Sequence, residues 1–211
     1  MEEIGEEKAM EEWIKKNPKK MAMTVKSLTK EELSKLGALE LDIRNGAILF
    51  LFLNSGLRVS ELCGLKFDDV YYGSDVKNGI SVSAEIAKGG QPREIPISDR
   101  LRQMFKDYFK WVYEQSNAMP SSSRPLFTSS KAGINPISVR QVQHIVRAIG
   151  VQIGLPDLHP HMLRHTYLTG LQDKCGNIRI VQIVAGHRSL QSTQIYLHPS
   201  TDDLRTAVNK L

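Results

Sequence analysis

The 211-residue chain is 41% hydrophobic and 24% charged, which is ordinary for a soluble globular protein with an ample core. Its longest uninterrupted apolar run, residues 47–53, is too short to cross a membrane, and the acidic N-terminus is not a secretory signal, so we expect a cytoplasmic protein with no membrane partner. The net charge of +5 is uneven, because residues 1–12 hold six Glu against one Lys; the remaining basic body favours a polyanionic partner, although a solvated basic surface has the same composition.

Disulfide and metal frameworks are not expected. Cys63 lies at an apolar-spaced position and should pack as a small hydrophobe, and Cys175 has no cysteine partner at zinc spacing. Both thiols should be reduced, and the functional cluster described below lacks the paired Asp or Glu residues that hold magnesium. We therefore expect neither a metal nor another cofactor.

The first predicted elements are a charged segment and three helices. Residues 1–23 are Glu-rich and then Lys-rich with a thin apolar face, which indicates a helix that frays into a linker. A capping box from Thr29 to Glu32 predicts a helix start. The next helix, at about 41–54, stops before Arg58, and we expect Ser60 to cap the helix that contains Glu61.

Residues 67–97 change to the period of β-strands. Apolar residues alternate in three short runs around 70–72, 80–84 and 94–97, separated by glycine-containing turns. This pattern predicts a small three-stranded antiparallel sheet in an otherwise helical protein, so the fold class is α+β and mainly helical. Lys88 lies at the tip of the last hairpin, where its ammonium could reach a bound phosphate or stay solvated.

Two amphipathic helices follow, and Ser98 and Ser138 are their predicted caps. The polar side of the second helix carries Arg140, His144 and Arg147 at positions i, i+4 and i+7. Such a basic face suits contacts with the DNA backbone, but a solvated helix face has the same pattern.

The most informative stretch is residues 159–198, which holds five of the six histidines. A helix opened by a proline would place His161, Arg164 and His165 on one face. A guanidinium beside an imidazole is a good receptor for two phosphate oxygens.

His187 and Tyr196 complete this cluster. Gly186 can end the preceding helix in a left-handed conformation and turn His187 aside, and Tyr196 would lie further on in a short helix. A phenol near phosphate-binding groups is a possible covalent nucleophile. The alternative is that each of these side chains caps a helix or fills the edge of the core.

Four ordered motifs carry a family resemblance over roughly residues 24–211. The box His161-Met-Leu-Arg164-His165, the pair Gly186-His187 and the segment Tyr196-Leu-His198 resemble the conserved boxes of tyrosine recombinases of the phage integrase and Xer type. An upstream box around Arg58 is similar to the family's first arginine box, and Lys88 lies where the family has a hairpin lysine.

The resemblance implies a set of site residues. The catalytic set would be Arg58, Lys88, His161, Arg164, His187 and the nucleophile Tyr196. Glu61 and His165 would support them, and DNA contacts are expected from Arg93, Arg140, His144, Arg147 and Arg188.

The resemblance also implies a reaction. The Tyr196 hydroxyl would attack a DNA phosphodiester to give a 3′-phosphotyrosyl link and a free 5′-hydroxyl, without metal or ATP. Arg58, Arg164 and His187 would stabilise the phosphate, Lys88 would protonate the leaving oxygen, and His161 or an equivalent base would take the phenol proton.

The implied partner is a double-stranded DNA recombination site, bound by a homotetramer that could be monomeric off DNA and associated with the nucleoid. Residues 24–199 would be the catalytic domain, and 1–23 would stand where the family joins an N-terminal DNA-clamping domain. Since 1–23 is too short to be that domain, we expect either that the chain is a fragment or that it recognises DNA with less protein than is usual. Residues 200–211 would form a tail helix that docks on a neighbouring protomer.

Three other functions remain open at this point. A type IB topoisomerase-like enzyme would use the same chemistry to relax DNA, and a non-catalytic DNA-binding module would form no phosphotyrosyl adduct. A histidine-based metallohydrolase would require acidic ligands that the cluster lacks.

Overall fold

A computed structural model describes residues 26–130 and 134–187 together with residues 189, 192, 193 and 196. The elements in chain order are α1 (Lys30–Gly37), α2 (Ile43–Ser55), α3 (Val59–Gly64), β1 (Tyr71–Tyr72), β2 (Asp75–Val76), β3 (Gly79–Val82), β4 (Arg93–Pro96), α4 (Asp99–Ser116), α5 (Val139–Gln152), α6 (Pro160–Cys175) and α7 (Ile178–Ala185). The predicted segment 1–23, Arg188 and the tail 200–211 lie outside the described residues.

Helix α2 is the centre of the core because it packs against both α4 and α6. Its sequence is apolar on most sides, and the side chains of Ile48, Leu51 and Phe52 are fully buried. The Asp42 side chain accepts from the backbone of Asn45 at its start, and Gly56 ends the helix in the left-handed region. Arg58 lies two residues after this glycine.

Local capping signals fix most helix starts. Thr29 forms the predicted capping box, and Ser98 and Ser138 also cap the helices that follow them. The prediction for Ser60 is wrong, since α3 begins two residues earlier than a cap at Ser60 implies and Arg58 is its N-cap. Glu61, as the third helical residue, accepts from the backbone N–H of Arg58, a donor that has no intrahelical partner.

The predicted three-stranded sheet is also wrong. Strand β1 turns back at Gly73 and pairs with β2, while β3 pairs separately with β4, so the described residues contain two two-stranded antiparallel sheets. Each strand of the first pair has only two residues, which is too short to show an alternating period in the sequence. The mainly helical character with small antiparallel sheets is confirmed.

Two further features bear on the sequence predictions. Both cysteines are free, and burial raises the pKa of the Cys63 thiol to about 11, as expected for a packed thiol. In the described part of the chain, no helix has both the length and the apolar character of a membrane span.

Candidate functional site

Three arginines meet at the C-terminal end of α7. Carbonyl groups at a helix end lack intrahelical partners and carry partial negative charge, so they attract cations. Three consecutive carbonyl oxygens each accept from a different guanidinium: Val184 O from Arg93 Nε (3.0 Å), Ala185 O from Arg164 NH2 (2.8 Å) and Gly186 O from Arg58 NH2 (3.2 Å). Residues from α3, β4 and α6 are thereby gathered at one point.

Arg164 is the most deeply placed of these cations. Its side chain comes from the first turns of α6, is 2% exposed, and also donates to the carbonyl of Gly56 at the end of α2. Burial, with the positive charge of Arg58 as a further cause, lowers the pKa of Arg164 to about 10. The guanidinium therefore stays charged at neutral pH, in surroundings that strengthen its interaction with an anion.

Glu61 is a fully buried carboxylate between two arginines. Its Oε1 accepts from Arg93 NH1 (2.9 Å) and Arg58 NH1 (3.0 Å), and its Oε2 accepts from Arg93 NH2 (2.8 Å). Burial by itself would raise the pKa of Glu61, but the hydrogen bonds from Arg93 and from the backbone of Arg58 lower it to about 2. Glu61 is thus ionised and paired.

Arg93 was expected to contact DNA, which requires an exposed side chain, but its side chain is buried. Its side chain is only 7% exposed, and all three guanidinium nitrogens bond to Glu61 or to Val184 O. The sequence contained a usable signal, since Arg93 and the buried Ile95 are two residues apart in β4 and therefore share the inward face.

The contacts of His187 define its tautomer. Its Nε2 lies 3.2 Å from Arg164 NH2, and a guanidinium only donates, so Nε2 accepts. The proton of the neutral ring is then on Nδ1, which donates to Thr193 Oγ1 at 3.0 Å. Burial, followed by the charges of Arg164 and Arg58, lowers the pKa of His187 to about 4, so the ring is neutral at pH 7. No sequence pattern pointed to Thr193, which is fully buried.

Tyr196 lies against this histidine. Its ring stacks on that of His187 with centroids 6.2 Å apart, and the ring of His165 is 5.0 Å away on a tilted plane. The side chain is buried, and its backbone N–H donates to Thr193 O (3.0 Å). Burial raises the pKa of the phenol, while Arg164 and Arg58 oppose that shift. The phenol is protonated at neutral pH and needs a base to become a nucleophile.

His161 and Lys88 lie nearer to solvent. His161 is an exposed residue in the first turn of α6. Partial loss of solvent around its ring lowers its pKa, and the charges of Arg164 and His159 lower it further. Lys88 is exposed in the connection between β3 and β4, the position predicted for it. The same connection leads into β4, so Lys88 lies five residues before Arg93, which forms the buried pair with Glu61.

A cavity of about 450 Å³ lies beside these groups, between α7 and the start of β4. Gln91, Arg179, Gln182 and His187 supply polar groups to its lining. His187 is therefore reached from this open side, whereas Arg164 is covered by the helix ends.

The remaining predicted positions are more distant or undescribed. Arg140, His144 and Arg147 are all exposed on α5, so that basic face stays a prediction. Within the described ranges, no three His, Cys, Asp or Glu side chains are grouped so that they could hold a metal ion.

Comparison with known proteins gives consistent relatives. The model of the phage integrase family matches residues 26–202. Over 196 residues the chain is 36% identical to the tyrosine recombinase XerA of Pyrococcus horikoshii, covering 92% of this chain and 64% of that protein. It is 36% identical over 158 residues to the tyrosine recombinase XerC of Thermodesulfovibrio yellowstonii, covering 74% of this chain and 50% of the relative. The chain thus spans between half and two thirds of the length of these relatives.

Solved structures share the fold. A crystal structure of XerA recombinase superposes with a TM-score of 0.67 at 26% identity, covering 88% of this chain and 64% of the other. The XerH site-specific recombinase bound to its difH substrate gives a TM-score of 0.68 at 23% identity, covering 87% of this chain and 53% of the other.

Proposed function

The chain belongs to the phage integrase family of tyrosine recombinases, and from that premise we propose that it is a site-specific DNA recombinase that cleaves and rejoins DNA through Tyr196. The observation that carries this proposal is the stacking of Tyr196 on His187, whose Nε2 meets the buried Arg164. Arg58 is anchored at the same helix end. A phenol held beside two guanidinium groups suits attack on a phosphodiester better than it suits a purely structural role.

In the proposed reaction, the Tyr196 oxygen forms a bond to the scissile phosphorus while the bond from phosphorus to the 5′-oxygen breaks. The product is a 3′-phosphotyrosyl link and a free 5′-hydroxyl. A 5′-hydroxyl of another strand then attacks the same phosphorus and releases the tyrosine, which regains its proton. The number of phosphodiester bonds is conserved, so no ATP is required.

Arg58 and Arg164 are proposed to bind the non-bridging oxygens of the phosphate. Each guanidinium has five N–H donors, more than the protein acceptors at this helix end occupy. The developing charge is stabilised by fixed cations, which is the main requirement of phosphoryl transfer. His187 is proposed to donate a further hydrogen bond from Nε2. The negative charge of the phosphate favours the protonated ring, so Nε2 takes up a proton from solvent while the Nδ1–H keeps its hydrogen bond to Thr193.

Proton transfer is assigned to two exposed groups. His161 is proposed as the base for the phenol proton, with support from its lowered pKa, which keeps the imidazole neutral and able to accept. Lys88 is proposed to protonate the leaving 5′-oxygen, because the exposed β3–β4 connection lets its ammonium approach bound DNA. His165 supports the site through its ring contact with Tyr196.

The proposed partner is a double-stranded recombination site. The XerH structure contains the difH substrate, and one structure of the Tn1549 transposon integrase contains transposon right end DNA. A net charge of +5 favours binding to such a polyanion. We propose that the protein forms a homotetramer on DNA and acts at the nucleoid in the cytoplasm. The proposed DNA contacts are Arg140, His144, Arg147 and Arg188.

The test is covalent trapping. Nicked duplexes from the DNA that flanks the native gene are incubated with the protein in EDTA, and labelled strands are examined for a protein-linked product after denaturation. The wild type should form the adduct, and Tyr196→Phe should form none because the attacking oxygen is gone. DNA affinity in a gel-shift assay should change by no more than about fivefold, the effect of one lost hydrogen bond.

Tyr72→Phe is the matched control, since it removes the same atom from a side chain that is 83% exposed and away from the site. It should form the adduct at the wild-type rate. An adduct on the Tyr196→Phe protein, or a strict requirement for magnesium, would contradict the proposed function.

A further inference from the structure

Arg58 and Arg93 share one carboxylate, but they share it unequally. Arg93 binds both oxygens of Glu61 in a fork, at 2.9 and 2.8 Å, whereas the Arg58 side chain reaches only Oε1, at 3.0 Å. A bidentate pair of charge-assisted hydrogen bonds is stronger and more specific in geometry than a single such bond. Arg93 is therefore the main partner of Glu61, and the Arg58 side chain makes only one hydrogen bond to it.

The two arginines also differ in access to solvent. The Arg93 side chain is 7% exposed and the Arg58 side chain is 21% exposed. Arg93 uses Nε, NH1 and NH2 on protein oxygens. Among the described contacts of Arg58, NH1 and NH2 each make one bond and its Nε makes none. Arg58 is thus the member of the pair that can receive an external anion.

We propose that Arg93 is a positioning residue that neutralises Glu61, so that Arg58 remains free to bind the scissile phosphate. If Arg93 is lost, the buried carboxylate has one cation left nearby and draws Arg58 into a closer pair, because an uncompensated buried charge is strongly unfavourable. Arg58 then turns away from the phosphate. The proposal rests on the proposed function in taking DNA phosphate as the anion, and it replaces the expectation that Arg93 contacts DNA.

The backbone near Arg93 supports a dedicated role. Gly186 has a φ of 61°, and a Cβ atom there would lie 2.9 Å from Arg93 NH1 and 3.0 Å from its Cζ. The glycine therefore leaves the space in which the Arg93 guanidinium crosses the end of α7 to reach Glu61. A side chain at this position would require the Arg93 guanidinium to shift.

The test compares Arg93→Gln, Glu61→Gln and the double variant in single-turnover adduct formation on the nicked duplex. Arg93→Gln should slow adduct formation at least about tenfold, since breaking a buried pair costs well over the ~1.4 kcal/mol of one decade. The double variant has no buried charge to attract Arg58, so it should be at least about tenfold faster than Arg93→Gln. A merely structural loss would make the double variant the slowest of the three.

Arg102→Gln is the matched control, because Arg102 also bonds a backbone carbonyl and a side-chain oxygen, Val76 O and Asn78 Oδ1, but lies away from the site. It should react at the wild-type rate. Unchanged activity of Arg93→Gln, or a double variant no faster than it, overturns the proposal. Should Arg93→Gln fail to fold, Glu61→Gln and the double variant decide: without the carboxylate Arg93 has no charge to neutralise, so equal rates support the proposal, and a double variant at least about tenfold slower than Glu61→Gln overturns it.

A second measurement separates this inference from the function on which it rests. Inorganic phosphate is titrated into each protein while the NMR signal of the Arg58 side-chain N–H is followed. Phosphate affinity should fall at least about tenfold in Arg93→Gln and return in the double variant. If the wild type binds phosphate at Arg58 but forms no adduct with any duplex, the proposed function is wrong, and the phosphate titration alone tests the role of Arg93. An Arg58 signal that responds equally in wild type and Arg93→Gln overturns that role.

Discussion

Single hydrogen bonds decide the chemical state of the site residues. Thr193 accepts from Nδ1 of His187 through its side chain and from the backbone N–H of Tyr196 through its carbonyl. It therefore fixes the tautomer of the imidazole and ties the tyrosine to it. A neutral histidine with its Nδ1 proton held in this way presents Nε2 towards Arg164.

We expect Thr193→Val to slow adduct formation about tenfold, because the buried Nδ1–H loses its acceptor and that loss costs ~1–2 kcal/mol. Nitrogen NMR shifts of His187 at pH 7 should then report a mixture of tautomers. Thr193→Ser keeps the hydroxyl and should keep one tautomer and the wild-type rate. A Val variant with a single unchanged tautomer would show that Thr193 does not set it.

For single residues, the sequence predicted which side chains belong to the site more readily than which side chains bond to each other. The spacing of His161, Arg164 and His165 predicted a shared helix face, and Arg164 and His165 do lie together in the buried part of α6. The partnership of Glu61 with Arg93 was missed because 32 residues separate them, and no local pattern encodes which distant strand will approach. The role of Arg93 could be guessed from the buried face of β4, but its partner could not.

Among the elements, α7 determines the site through the way it ends. Its last carbonyls and that of Gly186 receive the three guanidinium groups, and Gly186 both turns the chain and leaves room for Arg93. Gly176, which ends α6, has a nearly identical φ of 62°, but a Cβ atom there would meet no other atom within 4 Å. The two glycines differ in surroundings rather than in backbone conformation.

Gly176→Ala should lower the free energy of unfolding by ~1–2 kcal/mol, the cost of a left-handed non-glycine residue. Gly186→Ala should cost ~1–3 kcal/mol more because its Cβ also collides with Arg93, and it should slow adduct formation while Gly176→Ala does not. Urea unfolding and the trapping assay measure both effects. Equal losses of stability in Gly176→Ala and Gly186→Ala would mean that the Arg93 side chain moves aside without a cost in free energy.

Element starts were predictable where one side chain makes one local hydrogen bond, as Thr29, Ser98 and Ser138 do. The sheet was not, because β1 and β2 are decided by a turn at Gly73 and by packing rather than by an apolar period. At Ser60 the rule for capping residues gave the wrong position: the N-cap is Arg58, whose side chain makes no capping hydrogen bond, and Glu61 accepts from the Arg58 backbone N–H.

Across the whole molecule, the lowered pKa values of Glu61 and His187 contribute to the response of folding to acid. The pKa of Glu61 is held at about 2 against an ordinary 4.5, and that of His187 at about 4 against an ordinary 6.5. In both cases the unfolded chain binds the proton more readily, so acid favours unfolding. The stability due to His187 is present above pH 6.5 and is lost as the pH falls to about 4; that due to Glu61 is lost between about 4.5 and 2.

We therefore expect the thermal midpoint to fall steadily from pH 7 to pH 4, as measured by scanning calorimetry. His187→Gln should have a flatter profile over this range, because the group that charges on unfolding is removed. The comparison is with the wild type at each pH, which cancels the titration of exposed carboxylates. A wild-type midpoint that is constant from pH 7 to pH 4.5 would contradict the assignment.

Tyr196 lies against His165 and His187 of its own chain, beside its own Arg164. Under the proposed function, each subunit attacks with its own tyrosine and not with a tyrosine supplied by a second copy. A single folded subunit would then hold the attacking oxygen and the cations that bind the phosphate in one place.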